Sequence, residues 1–532
     1  MMNGKIDNLI DGKPINLSKV YFTVQSQFYN DFKVPVADSG QLDVSIALSK
    51  TKNSWEDCQK LSFNERAEII EKAASELRFT GQETDSIVKM SGMPKKYILI
   101  QMHQIIEIMT TFREAVSKRY GLIDEKIGTS FIENNISHKI EFRIPRKGFI
   151  YSITPGNDSR VTAVVLTILT LLGIPGIIKP SKNDNIIPVK VAKAIINAGY
   201  PKNGLTILFL NSENPKSKEY NFKICDNAMA IWPFGDEDTV DNLLRIERHN
   251  VFDLEKFLND KKLNNIQTNF PEFLTELEKS KNSIDNYMLI QTIDHFASKL
   301  ILKHASGRCT GILDDDFDLK LAAKMTIDSS MRYPIGCNSM KSLFVVESVF
   351  DKFVDLLKQE FGKLDKQTSD PLNPTTEVGY IDKDVVSFIE KRIGELKLLQ
   401  HVSVLHGGKK ISPVQLTPLL VSTNDQNSEL LINEISGYIL CLTKVKSFKE
   451  GISQINRLSQ NSPKLAVSYF TNNSANMRMH VNAHHVKINY LTTDLDGIVH
   501  EGNDYIMQLT RPYMVHLHKE NINNHPYRKS VN

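Results

Sequence analysis

Cysteine is scarce in this chain and follows no pattern. Five residues, Cys58, Cys225, Cys309, Cys337 and Cys441, are scattered among 532, with no C-x-x-C spacing. That distribution argues against a disulfide framework and against a zinc site, and it fits a reducing cytosol. An excess of one charge is also missing: 65 Lys and Arg face 62 Asp and Glu, so bulk electrostatics give no case for nucleic acid. Long apolar runs are nearly absent. Residues 161–178 carry no charge, but Gly173-Ile-Pro-Gly176 interrupts them, which reads as helix, turn and buried parallel strand and not as a membrane span. The opening Met-Met-Asn-Gly-Lys-Ile lacks the apolar core of a signal peptide and no Arg-rich transit pattern follows. A cytoplasmic protein without membrane contact is therefore expected.

What is present reads as a globular chain able to bury several substantial cores. Its length predicts two large domains, and its composition, 41% hydrophobic and 24% charged, is that of a soluble globular protein. Residues 1 to 50 read as strands and loops around Gly12 and Gly40. Ser62-Phe-Asn-Glu65 is a capping box that starts a helix carrying Ala67, Ile70 and Ala74. Beyond Pro94, Met102, Ile105, Met109, Phe112 and Val116 recur at helical spacing up to Gly121.

From residue 142 strands alternate with helices: 149–153, 160–172, 176–179, 188–198, 205–210 and 228–231. This rhythm implies right-handed crossovers and a parallel sheet. Ligands on such sheets bind beyond the carboxyl ends of the strands. The segments to inspect are therefore Thr154-Pro-Gly-Asn157, Lys179-Pro-Ser-Lys182 and Phe234-Gly-Asp236. Residues 246–302 are charged and Asn-rich and read as an inserted subdomain with helical pieces such as 270–279. A second α/β rhythm then runs through 311–313, the helix 319–330, and Arg332-Tyr-Pro-Ile-Gly-Cys-Asn-Ser-Met-Lys-Ser-Leu-Phe-Val-Val346. In that last stretch Cys337 occupies a loop leading into an apolar strand, where a thiolate is exposed to substrate while its backbone is anchored.

Taken in order, these pieces resemble the aldehyde dehydrogenase superfamily. The resemblance rests on Asn157, Lys179-Pro-Ser, Phe234-Gly, Ser306-Gly-Arg308, Gly336-Cys337, Asp370-Pro-Leu-Asn-Pro-Thr-Thr-Glu-Val-Gly379, Glu434-Ile-Ser-Gly437 and Ile488-Asn-Tyr490. It implies two doubly wound α/β domains with a small β arm for oligomerisation. The dinucleotide-binding domain would span 40–122 and 145–306, the thiol domain 307–485, and the arm 123–144 with 508–524.

The family's chemistry, carried over, makes Cys337 the nucleophile for an aldehyde and the Asn157 amide an oxyanion donor. NAD or NADP would be held by Thr154, Lys179, Ser181, Lys182, Gly235, Asp236 and Glu434; a cation at Lys182, where NAD-using relatives carry Glu, leans towards NADP. No metal is implied. His304 stands where relatives place a general-base Glu, and a branch linked to phenylacetate breakdown has a similar His-x-x-Gly-Arg. Asp236 replaces a small hydroxyl residue at the phosphate turn, and Ser436 an aromatic beside the nicotinamide. These departures leave three readings: oxidation of an aldehyde to an acid, acylation of coenzyme A or its reverse, and an inert scaffold. The alternating segments 138–144 and 513–518 are expected to pair as the arm of a homodimer or homotetramer.

Overall fold

The two runs of alternation become two seven-stranded sheets. The structure, a computed structural model, describes residues 5–123, 125–133, 137–235, 300–302, 304, 307–396, 401–432, 435–460, 463–493, 499–500 and 503–518. The first sheet has the order Leu300–Ile301, Ala230–Pro233, Ile150–Ile153, Gly176–Lys179, Leu205–Ile207, Asn8–Ile10, Lys13–Ile15. Its first five strands are parallel, as the crossovers require. The hairpin Asn8–Ile10 with Lys13–Ile15 adds an antiparallel edge from residues ahead of position 40.

The second sheet has the order Val402–His406, Leu419–Thr423, Ile439–Val445, Met340–Val346, Cys309–Leu313, Lys464–Phe470, Ala483–Ile488. Only its first strand is antiparallel. Each sheet has apolar clusters on both faces, which is the doubly wound arrangement.

Local chemistry sets the helices that matter for the site. Asp158 caps the helix Ser159–Leu172, which ends at Gly173 in the left-handed region, φ 66. Almost every side chain of that helix is buried, as a sequence without charge after Arg160 requires. The capping box at Ser62 opens Phe63–Glu76 as read, and Lys95–Tyr120 runs to Gly121.

Two local expectations change. Residues 41–50 are helical, within Gln41–Asn53, and not strand or loop. The start signal was hidden because Asp43, inside the helix, caps it by accepting from the backbone N–H groups of Gly40, Leu17 and Ser18. The strand read as 205–210 pairs only over Leu205–Ile207, because Asn8 Oδ1 takes the Phe209 N–H at 2.9 Å.

Four strands form the separate arm, with Thr510–His518 antiparallel to Ser137–Pro145 along its whole length, from Thr510 opposite Pro145 to His518 opposite Ser137. Of the expected insertion over 246–302, residues 246–299 lie outside the described residues, as do the arm's residues 519–524, whereas Leu300–Ile301 is not inserted but forms the parallel edge strand beside Ala230–Pro233.

Candidate active site

A cavity of about 690 Å³ opens where the carboxyl ends of the first sheet's strands face the loop before Met340–Val346. Ile153, Lys179, Leu210 and Phe234 reach it from the strand ends, and Ile335, Gly336 and Cys337 close it from the second domain. Parallel strands make such a crevice by construction, since their loops diverge there.

The two domains are fastened beside this cavity by the Asp370–Gly379 loop. Tyr29 donates to Asp370 Oδ1 at 2.6 Å, Lys95 N to Pro371 O at 2.8 Å, and Lys96 and Tyr97 both meet Glu377. Gly379 sits where a Cβ would fall 2.3 Å from Gly92 O, so this contact requires glycine.

The thiol loop is held by buried polar groups. Lys341, 4% exposed, donates to Pro334 O and, at 2.9 Å, to Gly437 O. Gly437 N also bonds Pro334 O at 2.9 Å, which joins the thiol loop to the loop of Ser436. Beneath Cys337, the Cys309 thiol donates to Cys337 O at 3.4 Å. Cys337 is half-buried, whereas the other four cysteines are buried. Burial pushes Cys58 up to about 11, and Cys441 higher still, so those thiols stay protonated and inert near neutrality.

Asn157 lies on the same cavity, in the turn before its helix, and its Nδ2 donates to Ile335 O at 2.6 Å. One amide proton thus tethers it to the thiol loop, two residues from Cys337, and the amide's other N–H is not used in that bond. His304 also lines the cavity but is only 3% exposed. Its Nε2 meets the Tyr505 hydroxyl, and its ring stacks on Phe234 at 4.3 Å and 18°.

The cofactor candidates cluster around the strand ends. Thr154 is 2% exposed, with Oγ1 buried and without a hydrogen-bond partner among the described residues. Lys179 has no ion or hydrogen-bond partner among the described residues, and burial holds its ammonium below the usual lysine range. Ser181 turns its hydroxyl to the Asn183 N–H at 3.3 Å, and a Cβ on Gly156 would fall 2.5 Å from that hydroxyl. Lys182 is more than half exposed and pairs loosely with Glu213 at 3.8 Å. Gly235 donates to His304 O at 3.3 Å. Asp236 and Glu434 lie outside the described residues. A buried hydroxyl and a half-buried ammonium, both without a partner among the described residues and on one wall, fit a polar ligand rich in hydroxyl and phosphate oxygens, which a dinucleotide is.

The sequence reading passed over Arg160, Gln104 and Asp184, and gave no role to Tyr333 and Gly307 although both fall inside motifs it singled out. Arg160 is 2% exposed and forms a fork with Asp158, Nε to Oδ1 at 2.9 Å and Nη2 to Oδ2 at 2.6 Å. Asp184, in the loop after Lys182, is fully buried, and desolvation raises it to about 7. The one available signal was an arginine opening an otherwise charge-free helix. Among the described residues no cluster of His, Cys, Asp or Glu is placed to hold a metal, and no helix is long and apolar enough to cross a membrane.

Comparison with known proteins adds the family. The model of the aldehyde dehydrogenase family matches residues 21–217 and 289–502. The gamma-glutamyl phosphate reductase of Prochlorococcus marinus (strain MIT 9515) is 22% identical over 333 residues, 61% of this chain and 63% of that protein. The Saccharomyces cerevisiae (strain ATCC 204508 / S288c) protein of the same name is 34% identical over 70 residues, 13% of this chain and 15% of the relative. The chain therefore spans less than two thirds of these relatives' length. A salicylaldehyde dehydrogenase from Pseudomonas putida G7, solved with salicylaldehyde, superposes with a TM-score of 0.75 at 15% identity, covering 97% of this chain and 98% of that one. An NADP-dependent glyceraldehyde-3-phosphate dehydrogenase from Bacillus halodurans C-125, solved with NADP, gives 0.73 at 17%, covering 97% and 99%. At such identities the superpositions establish the fold alone.

Proposed function

The chain belongs to the aldehyde dehydrogenase family, and we propose that it oxidises an aldehyde with NAD or NADP through a thioester on Cys337. The observation that carries this reading is one cavity lined by Cys337 and Asn157 together with Thr154, Lys179, Ser181 and Lys182. In this reading the Cys337 thiolate attacks the aldehyde carbon. The negative charge that develops on the carbonyl oxygen is met by the Asn157 N–H that is not bonded to Ile335 O. One preorganised donor of this kind contributes on the order of 100- to 1000-fold in rate. When bound, the nicotinamide supplies the hydride acceptor. Thr154 and Lys179 would meet its sugar hydroxyls and phosphates, and Lys182 would exchange its weak contact with Glu213 for a 2′-phosphate, which favours NADP.

A second reading concerns where the acyl group goes. Water needs a positioned base to cleave a thioester. His304 is sealed between Phe234 and Tyr505, and of the described carboxylates on the cavity Asp158 is forked by Arg160 while Asp382 accepts from the Asp384 N–H at 2.7 Å. Transfer to or from a good leaving group, such as the coenzyme A thiol or phosphate, needs no such base. Relatives named for reduction of gamma-glutamyl phosphate fit reversal from an activated acyl group. The test is an aldehyde panel with each cofactor, with and without coenzyme A or phosphate, for the native protein and Cys337→Ala. Turnover that is lost in Cys337→Ala supports the thioester. Dependence on coenzyme A or phosphate selects the second reading, and no turnover under any combination removes both.

A further inference from the structure

The strongest unexplained feature lies behind the thiol. Arg160, buried in the first turn of Ser159–Leu172, spans the two domains. Its fork is closed on Asp158, and Nη1 donates to Gln104 Oε1 at 2.9 Å. Its guanidinium lies 4.3 Å from the centroid of the Tyr333 ring, at the start of the thiol loop. Tyr333 donates to the same Gln104 oxygen at 3.3 Å, and its carbonyl accepts from Gly336 N at 2.9 Å, closing the turn that presents Cys337.

A buried ion pair is poor evidence for stability, because desolvating both ions offsets most of their attraction. Its place is therefore informative: this pair directly follows Asn157 in the chain and reaches the thiol loop through Tyr333 and Gln104, and the Cys337 thiol lies within the reach of its charge. Burial works against the guanidinium, the Asp158 carboxylate outweighs it, and the arginine stays charged.

We propose that Arg160 is a positioning residue for Cys337. Through Tyr333 it fixes the thiol loop against Asn157, and its buried positive charge favours the thiolate. The groups that share this field are Asp158 and Asp184 on the first domain, Tyr333 and Cys309 on the second, and His304 and Tyr505 elsewhere on the cavity wall. This inference rests on Cys337 as the nucleophile, but its test needs no aldehyde and no cofactor, so its failure is separable from failure of the catalytic reading.

The experiment is the pH dependence of Cys337 alkylation by iodoacetamide in the full chain, with Cys337→Ala as background. Arg160→Met should raise the apparent thiol pKa by about one unit, which slows alkylation at pH 7 by about tenfold. Asp158→Asn keeps the helix cap and removes the counter-charge, so it should shift the profile the opposite way. A folded Arg160→Met with the native profile would overturn the proposal. If Arg160→Met does not fold, Asp158→Asn decides: a lower apparent pKa supports the proposal, and an unchanged or higher one overturns it.

Discussion

Gly307 packs against the Cys337 peptide with no room for a side chain, and adding one methyl group there tests the geometry directly. A Cβ built on Gly307 would fall 1.7 Å from Cys337 O and 2.5 Å from its carbonyl carbon, with Leu465 Cδ2 at 3.0 Å. Non-bonded carbon and oxygen need about 3 Å or more, so either Gly307 or the Cys337 peptide must move by about 1 Å. Gly307 is not free to retreat, because its carbonyl accepts from Leu465 N at 2.7 Å beside the strand Lys464–Phe470. The Cys337 carbonyl, held by the Cys309 thiol at 3.4 Å, is the weaker side and should yield.

Overpacking of this kind costs about 1–3 kcal/mol of stability. A nucleophile displaced by 1 Å loses about 100-fold in turnover. Gly307→Ala should therefore show turnover reduced by about two orders of magnitude, with the melting temperature lowered by a few degrees. The assays are steady-state kinetics at saturating aldehyde and cofactor, together with thermal unfolding. Native turnover and native melting temperature in Gly307→Ala would refute the packing argument.

Asp184 should make stability fall with pH. Burial raises its folded value to about 7 from an ordinary 3.8. Its contribution is thus fully present below about pH 4 and is lost as pH rises through 7. Asp184→Asn should match the native protein in denaturant unfolding at pH 4 and exceed it at pH 8 by an amount on the order of a few kcal/mol. Lys182→Ala should raise the KM for NADP by about tenfold and leave that for NAD within about twofold, as read in initial-rate kinetics. Gly362 lies inside the helix Glu347–Lys366 with nothing within 4 Å of a Cβ. Gly362→Ala should therefore stabilise by about 0.4–1 kcal/mol without changing turnover.

The sequence exposed those features that follow from local pattern. Alternation gave the two parallel sheets, and the strand ends gave the cavity wall, because parallel topology fixes which loops meet. The capping box at Ser62 and the apolar stripe ending at Gly121 became helices where the spacing put them. Interactions between residues distant in the chain were hidden. The Asp43 cap reaches back to Leu17 and Ser18, and the Asn8 side chain ends a strand some two hundred positions away. The Arg160 and Tyr333 stack, the Gly307 contact with Cys337 and the Lys341 strut to Gly437 join segments that no periodicity links. His304 drew notice by its position in a motif, but its chemistry depends on Phe234 and Tyr505, which only the fold brings to it.

The proposed chemistry requires a covalent acyl group at a single sulfur. The most direct measurement is acid quench of the protein during turnover of an accepted aldehyde with NAD or NADP, followed by mass spectrometry of its peptides. Catalysis through Cys337 should leave an acyl adduct on the peptide containing that residue, absent without cofactor and absent in Cys337→Ala. Product formed at native rates with that peptide unmodified throughout, or with the adduct on another cysteine, would contradict it.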